Sequence, residues 1–216
     1  MFVRTAVRCL NTISNKKTSS LIIKNNNLYT SNEVIIIIKS VLNEIKQEEH
    51  LRIEYGIGND FNDVFLGSHC EFFLCSDCGM SVIPEIFRVP AVYVNWTDIL
   101  RISTWVLNGI FIFKKFYLKS EDRYMKFSEI MNLPFGGKDT NSIFESMNLI
   151  LIENSPQEIL HATLEMEERL AGKWQGSQED LGLQERFWSL FGLNKVKSPD
   201  LRIGAQFLRD NADLIQ

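Results

Sequence analysis

The 216-residue sequence lacks any apolar run long enough to span a bilayer. Its longest uncharged apolar stretch, Ile102 to Phe113, is 12 residues, where about 20 are needed, and it reads instead as a buried strand. Histidine is scarce, with three residues, and no paired-histidine zinc pattern is present. Neither a Gly-x-x-x-x-Gly-Lys-Ser/Thr phosphate loop nor a Gly-x-Ser-x-Gly nucleophile elbow occurs. Carboxylates are missing from the first 32 positions, which hold five basic side chains; the first acid is Glu33. Subtracting those five from the 23 basic residues leaves 18 against 27 acids, a net charge of -9 over the remainder. A body of that sign excludes general nucleic-acid binding, which needs a basic footprint.

The acid-free start, "MFVRTAVRCLNTISNKKTSS", has no uninterrupted apolar core of the secretory kind. Two readings stay open for it: an organellar targeting segment, and the divergent start of a domain. The expected location is cytoplasmic, with peripheral contact to the inner membrane face left open. Cys70, Cys75 and Cys78 follow Cys9 with C-x4-C-x2-C spacing, known from iron–sulfur ligation. Cys75, however, lies inside the apolar run "FFLC", so reduced, buried thiols in a reducing compartment are the expected reading.

What is present is ordinary for a globular protein, 45% hydrophobic and 23% charged, long enough to bury roughly 70% of its unfolded surface. Strand and helix signals alternate along it. "SLIIK" (20–24), "LRIEY" (51–55), "EFFLC" (71–75), "AVYVN" (91–95), 109–118 and "LILIEN" (149–154) read as strands. Helical patterns run from 33 to about 49 and over 61–69. After 155, "SPQE" and "SQED" give two N-terminal capping boxes, and 198–216 reads as a closing helix. The alternation predicts an α/β fold with a parallel sheet of five or six strands, helices on both faces and a helical C-terminal end. The expected organisation is a divergent or poorly ordered segment 1–19, a Rossmann-like domain 20–172 and a helical extension 173–216.

Several constellations reduce to plain structure. Glu158 and His161 form a Glu-x-x-His half-motif with no second copy, so a solvated helix face is expected. Phe187, Trp188 and Phe191 read as core. The turn "SDCG" (76–79) survives this sieve. In open parallel sheets ligands bind outside the carboxyl ends of the strands, and backbone N–H groups opening a helix suit an anion there. Ser76, Asp77, Cys78 and Gly79, with Ser81 behind them, are the candidates; Lys114 and Lys115 end another strand on the anion's side.

The blocks "FNDVFLGSHCEFFLCSDCGMSVIPEIFRVPAVYVNW", "FKKFYLKSEDRYMKFSEIM" and "LIENSPQEILHATLEMEERLAGKW" together resemble the C-terminal nucleotide-sugar domain of bacterial GT-B-type glycosyltransferases of surface polysaccharide and lipopolysaccharide assembly. The resemblance covers about residues 51–216. It implies half of a GT-B fold whose cleft grips a nucleotide diphosphate-sugar, with a glycan or lipid-linked acceptor and no separate cofactor or metal in this half. By position, Ser76, Asp77 and Gly79 would face the diphosphate, and Asn95 and Lys114 would line the same cleft. Two departures stand out. No counterpart of the acceptor-binding first domain is found, and Cys78 takes the place of an expected serine. The expectation is therefore a donor domain incomplete alone, which exposes apolar side chains on its closing helix 201–210 or around the cleft and favours self-association. Two alternatives stand beside it: a non-catalytic remnant or interaction module, and an epimerase-like half acting on a sugar nucleotide.

Overall fold

The computed structural model describes residues 6–9, 20–23, 64, 67–133, 140–192 and 199–215. The nine strands among them are β1 (Ala6–Cys9), β2 (Ser20–Ile23), β3 (Cys70–Ser76), β4 (Ala91–Trp96), β5 (Gly109–Phe113), β6 (Lys115–Leu118), β7 (Arg123–Tyr124), β8 (Leu149–Ile152) and β9 (Arg202–Ile203). The helices are α1 (Val82–Phe87), α2 (Phe127–Met131), α3 (Thr140–Ser146), α4 (Pro156–Leu170), α5 (Gln178–Ser189) and α6 (Ala205–Asp210).

Six strands form one sheet in the order β2-β1-β3-β4-β5-β9. Pairing is parallel from β3 through β4 and β5 to β9, and antiparallel for β1 with β2 and with β3. The protein is thus α/β, with four parallel strands and helices on both faces. β3 lies inside the sheet, between β1 and β4, as its unbroken apolar run "FFLC" requires. The remaining strands form a second, antiparallel sheet, β7-β6-β8.

Side chains of β4 and β5 divide between two faces. Tyr93 and Phe111 are in register and stack at 4.2 Å, with Trp96 edge-on to both. The chain between β4 and β5 covers this face, since a Cβ placed on Gly109 would meet Val106 at 2.8 Å. Ile83 of α1 packs on the same face, meeting Phe73, the register partner of Ala91, beside Gly67. Ile110 and Ile112 point the other way, where Met166 of α4 and the backbone of Gly204 approach them. At the end of β5, Phe113 meets Phe127 of α2, Phe187 of α5 and Phe207 of α6 at ring distances of 5.9, 5.5 and 6.1 Å. These aromatics join the helical C-terminal part to the sheet.

The α4 start is as expected: Ser155 caps it, Pro156 opens it, and Glu158 closes the box. Ser177 and Asp180 do the same for α5. Other expectations need correction. The parallel sheet has four strands among the described residues rather than five or six. The expected strand 109–118 is two, because at Lys114 the chain leaves one sheet and enters the other. "LILI" accordingly pairs antiparallel with β6, not with the parallel sheet. The closing helix is shorter than expected: Arg202 and Ile203 are a strand, and α6 spans only 205–210. The strand at 51–55 and the helix at 33–49 fall outside the described residues, as does most of 61–69.

The exposed apolar surface is not on the closing helix. Leu201, Ile203, Ala205, Phe207 and Leu208 are all buried. A buried carboxylate explains why: Glu165 of α4 accepts the Ala205 N–H at 2.7 Å and draws α6 onto α4. Exposed instead are Val82, Ile86 and Phe87 on α1, and Leu100, Trp105 and Leu107 before β5. Trp105 is 70% exposed and Ile86 66%. Among the described residues, no helix is long and apolar enough to cross a membrane.

Candidate functional site

At the carboxyl end of β3 the chain passes from the buried Cys75 to Ser76 and then into the turn at Asp77 and Cys78. Cys78 is extended, and Gly79–Ser81 form a single 3-10 turn that leads into the six-residue α1. Pro84 falls in the first turn of α1, where its missing N–H costs nothing. Ser81 does not cap α1 through its side chain; its backbone N–H donates to the Cys78 carbonyl at 3.0 Å.

Two features of this turn are not explained by the fold. Gly79 lies outside the left-handed region, and a Cβ there would meet nothing within 4 Å. Neither backbone angle nor crowding therefore requires glycine. The Ser76 hydroxyl is buried and has no hydrogen-bond partner among the described residues, although buried polar groups are almost always paired. The Tyr93 hydroxyl likewise has no partner among the described residues, and its fully buried ring belongs to the aromatic stack of the core.

The end of β4 comes up beside the turn. A bulge interrupts the pairing of β4 with β5 after Tyr93, and Asn95 there takes a left-handed conformation (φ 53°), which asparagine tolerates better than most residues. Asn95 and Asn154 then bond reciprocally. Each backbone N–H donates to the other's side-chain oxygen, both at 2.6 Å, and Asn154 Nδ2 donates to the Phe113 carbonyl at 2.7 Å. This clamp ties the carboxyl ends of β4 and β5 to the start of α4.

Charges converge on Asp77. Asp77 is exposed by surface area, yet partial desolvation of its carboxyl is the largest influence and pushes its pKa up, with the negative Asp98 acting in the same direction. The Thr97 backbone N–H, Lys114 and Arg101 oppose this shift without reversing it. Asp98 accepts the Leu100 N–H at 2.9 Å and pairs with Arg101 at 3.2 Å. Lys114 lies 3.5 Å from the exposed Glu153, a surface pair of the kind that contributes little. Two weakly engaged cations thus stand near Asp77, the largely exposed Arg101 and the half-buried Lys114.

No family model, curated protein or solved structure matches the chain. The reading of the site therefore rests on its own geometry. Of the sequence candidates, Ser76, Asp77, Cys78, Gly79, Asn95 and Lys114 gather at the carboxyl edge of the parallel strands. Lys115 does not join them. It starts β6, and its ammonium bonds Glu158 at 3.0 Å, the carboxylate that also caps α4 through the Ser155 N–H. Lys114 lies between the two sheets while Lys115 already belongs to β6, which separates the two lysines. Cys70 and Cys75 are buried free thiols, and burial pushes the Cys75 thiol well up, as suits core residues.

Asn154, Thr97, Asp98 and Arg101 were missed from the sequence. A signal for Thr97 and Asp98 existed, since "NWTD" follows an apolar strand just as "SDCG" does, and Arg101 lies one turn beyond it. Asn154 carried none, because its importance depends on a partner 59 positions away.

Proposed function

We propose that the crevice at the carboxyl ends of β3, β4 and β5 binds the diphosphate of a nucleotide diphosphate-sugar, in a Rossmann-like domain that forms the donor half of a GT-B-type glycosyltransferase of surface-glycan assembly. The observation that carries this reading is Gly79, a glycine the fold does not need. It stands where a phosphate would approach the backbone and beside an unpaired Ser76 hydroxyl. Lys114 and Arg101 supply positive charge across the crevice. The resemblance to glycosyltransferase donor domains points to the same turn. No catalytic residue is assigned. Calorimetric titration with uridine, guanosine and cytidine diphosphates is the test: one of them is expected to bind below about 1 mM, and no heat from any of the three would end the proposal.

Asp77 supplies a pH signature. An anion arriving beside this carboxyl would push its pKa higher still, so binding should take up a proton and tighten as pH falls. Titrations in two buffers of different ionisation enthalpy measure that uptake. Asp77→Asn keeps an acceptor for the Thr97 N–H while removing the charge, and should bind at least as tightly with no proton uptake. Unchanged proton uptake in the variant would show that Asp77 is not in the site.

The exposed Trp105, Ile86 and Phe87 favour a second reading, an interaction module whose apolar face docks a partner. Nucleotide titration separates the two, because such a module needs no nucleotide. A sugar-nucleotide epimerase would bind the same ligand class and is told apart by its product.

A further inference from the structure

A cleft of about 470 Å³ lies at the amino ends of β5 and β9, the opposite end of the sheet from the proposed nucleotide crevice. Its volume falls in the range of small-molecule sites, roughly 300–1,000 Å³. Ile110, Met166 and Leu170 give it an apolar wall. The polar side is built around two arginines of different character.

Arg169 is held in place from two directions. Its guanidinium bonds Glu165 twice, Nε at 2.9 Å and the terminal nitrogen at 2.8 Å, and sits 4.8 Å from the centre of the Trp174 ring. Arg202, at the start of β9 opposite Ile110, has no carboxylate partner among the described residues. The end of α4 lines the cleft with several of its carbonyls already engaged. Its last carbonyls, those of Glu167, Glu168 and Arg169, already receive N–H groups from Ala171, Lys173, Trp174 and Gly172. Asp200, on the same rim, disfavours a second negative charge on anything bound there.

We infer that this cleft is a second binding site, for an organic monoanion with an apolar body, its carboxylate on Arg202 beside the fixed Arg169 and its hydrocarbon part against Ile110, Met166 and Leu170. A planar guanidinium with free N–H groups suits a carboxylate in two-point contact, and the Arg169–Trp174 stack gives the anion a rigid neighbour.

Hexanoate is the probe, with propionate, hexanol and hexylammonium as comparisons, read by titration on ¹H–¹⁵N spectra of the whole chain. The Trp174 indole N–H signal, assigned with Trp174→Phe, should shift with hexanoate at about millimolar concentration. Affinity should rise from propionate to hexanoate and be at least about tenfold weaker for hexanol and hexylammonium. Arg202→Gln should lose about tenfold in hexanoate affinity while uridine diphosphate titrates as in the parent. Leu170→Gln should flatten the chain-length dependence, and it keeps the test usable if Arg202→Gln fails to fold. Hexanoate and hexanol binding equally, no shift at Trp174, or undiminished affinity in folded Arg202→Gln would each overturn the inference.

Discussion

Gly79→Val is expected to abolish nucleotide binding while leaving thermal unfolding close to that of the parent. The valine side chain would enter space in which a Cβ meets no neighbour within 4 Å, so the folded protein has no clash to relieve. Outside the left-handed region a branched residue carries no large backbone penalty. The same side chain would occupy the place where a diphosphate must approach the turn. Calorimetric titration beside a melting curve reads both quantities. A variant that melts far below the parent, or that binds as the parent does, would show that the turn serves the fold alone. Two milder variants grade the site. Ser76→Ala removes one hydrogen bond and should weaken binding by about 1 kcal/mol. Lys114→Ala should cost roughly twice as much, since a charge-assisted contact is the stronger kind.

Asn154→Leu should destabilise the protein by about 3 kcal/mol, the largest effect on folding expected from any change near the site. Asn154 is only 6% exposed, and its side chain both accepts from the Asn95 N–H and donates to the Phe113 carbonyl. A leucine of similar size would fill the space and leave both backbone groups buried without partners. Denaturant unfolding with an unchanged slope would register the loss as a shifted midpoint. Below the transition, nucleotide affinity should fall as well, because the clamp fixes the ends of β4 and β5 that frame the crevice. A loss under about 1 kcal/mol would mean that water or a rearranged Asn95 satisfies those groups.

Local chemistry made several elements legible. "SPQE" places a cap, a proline and a box acid at the positions that satisfy the free N–H groups of a first turn, and the structure starts α4 there. "FFLC" is apolar at successive positions, as suits a strand covered on both faces. The split at Lys114 is also present in the pattern of 109–118. "GIFIF" is buried throughout, whereas in "KFYL" buried and half-buried positions alternate. That change marks the passage from a sheet covered on both faces to one with a half-exposed face.

By itself the sequence determined the α/β class, the inner position of β3, the starts of α4 and α5, and the turn at 76–79 as the place to look for a ligand. Each depends on residues within a few positions of one another, whose conformational preferences act before any tertiary contact forms. Only the tertiary structure decided which strands pair, since "LILI" satisfies its backbone equally well in either sheet. Tertiary contacts also buried α6, through Glu165 reaching Ala205 across 40 positions, and separated Lys114 at the crevice from Lys115 on Glu158. The Asn95–Asn154 clamp and the Arg202 cleft are of the same kind. Their chemistry comes from groups far apart in the chain, and no local pattern records where a partner will arrive.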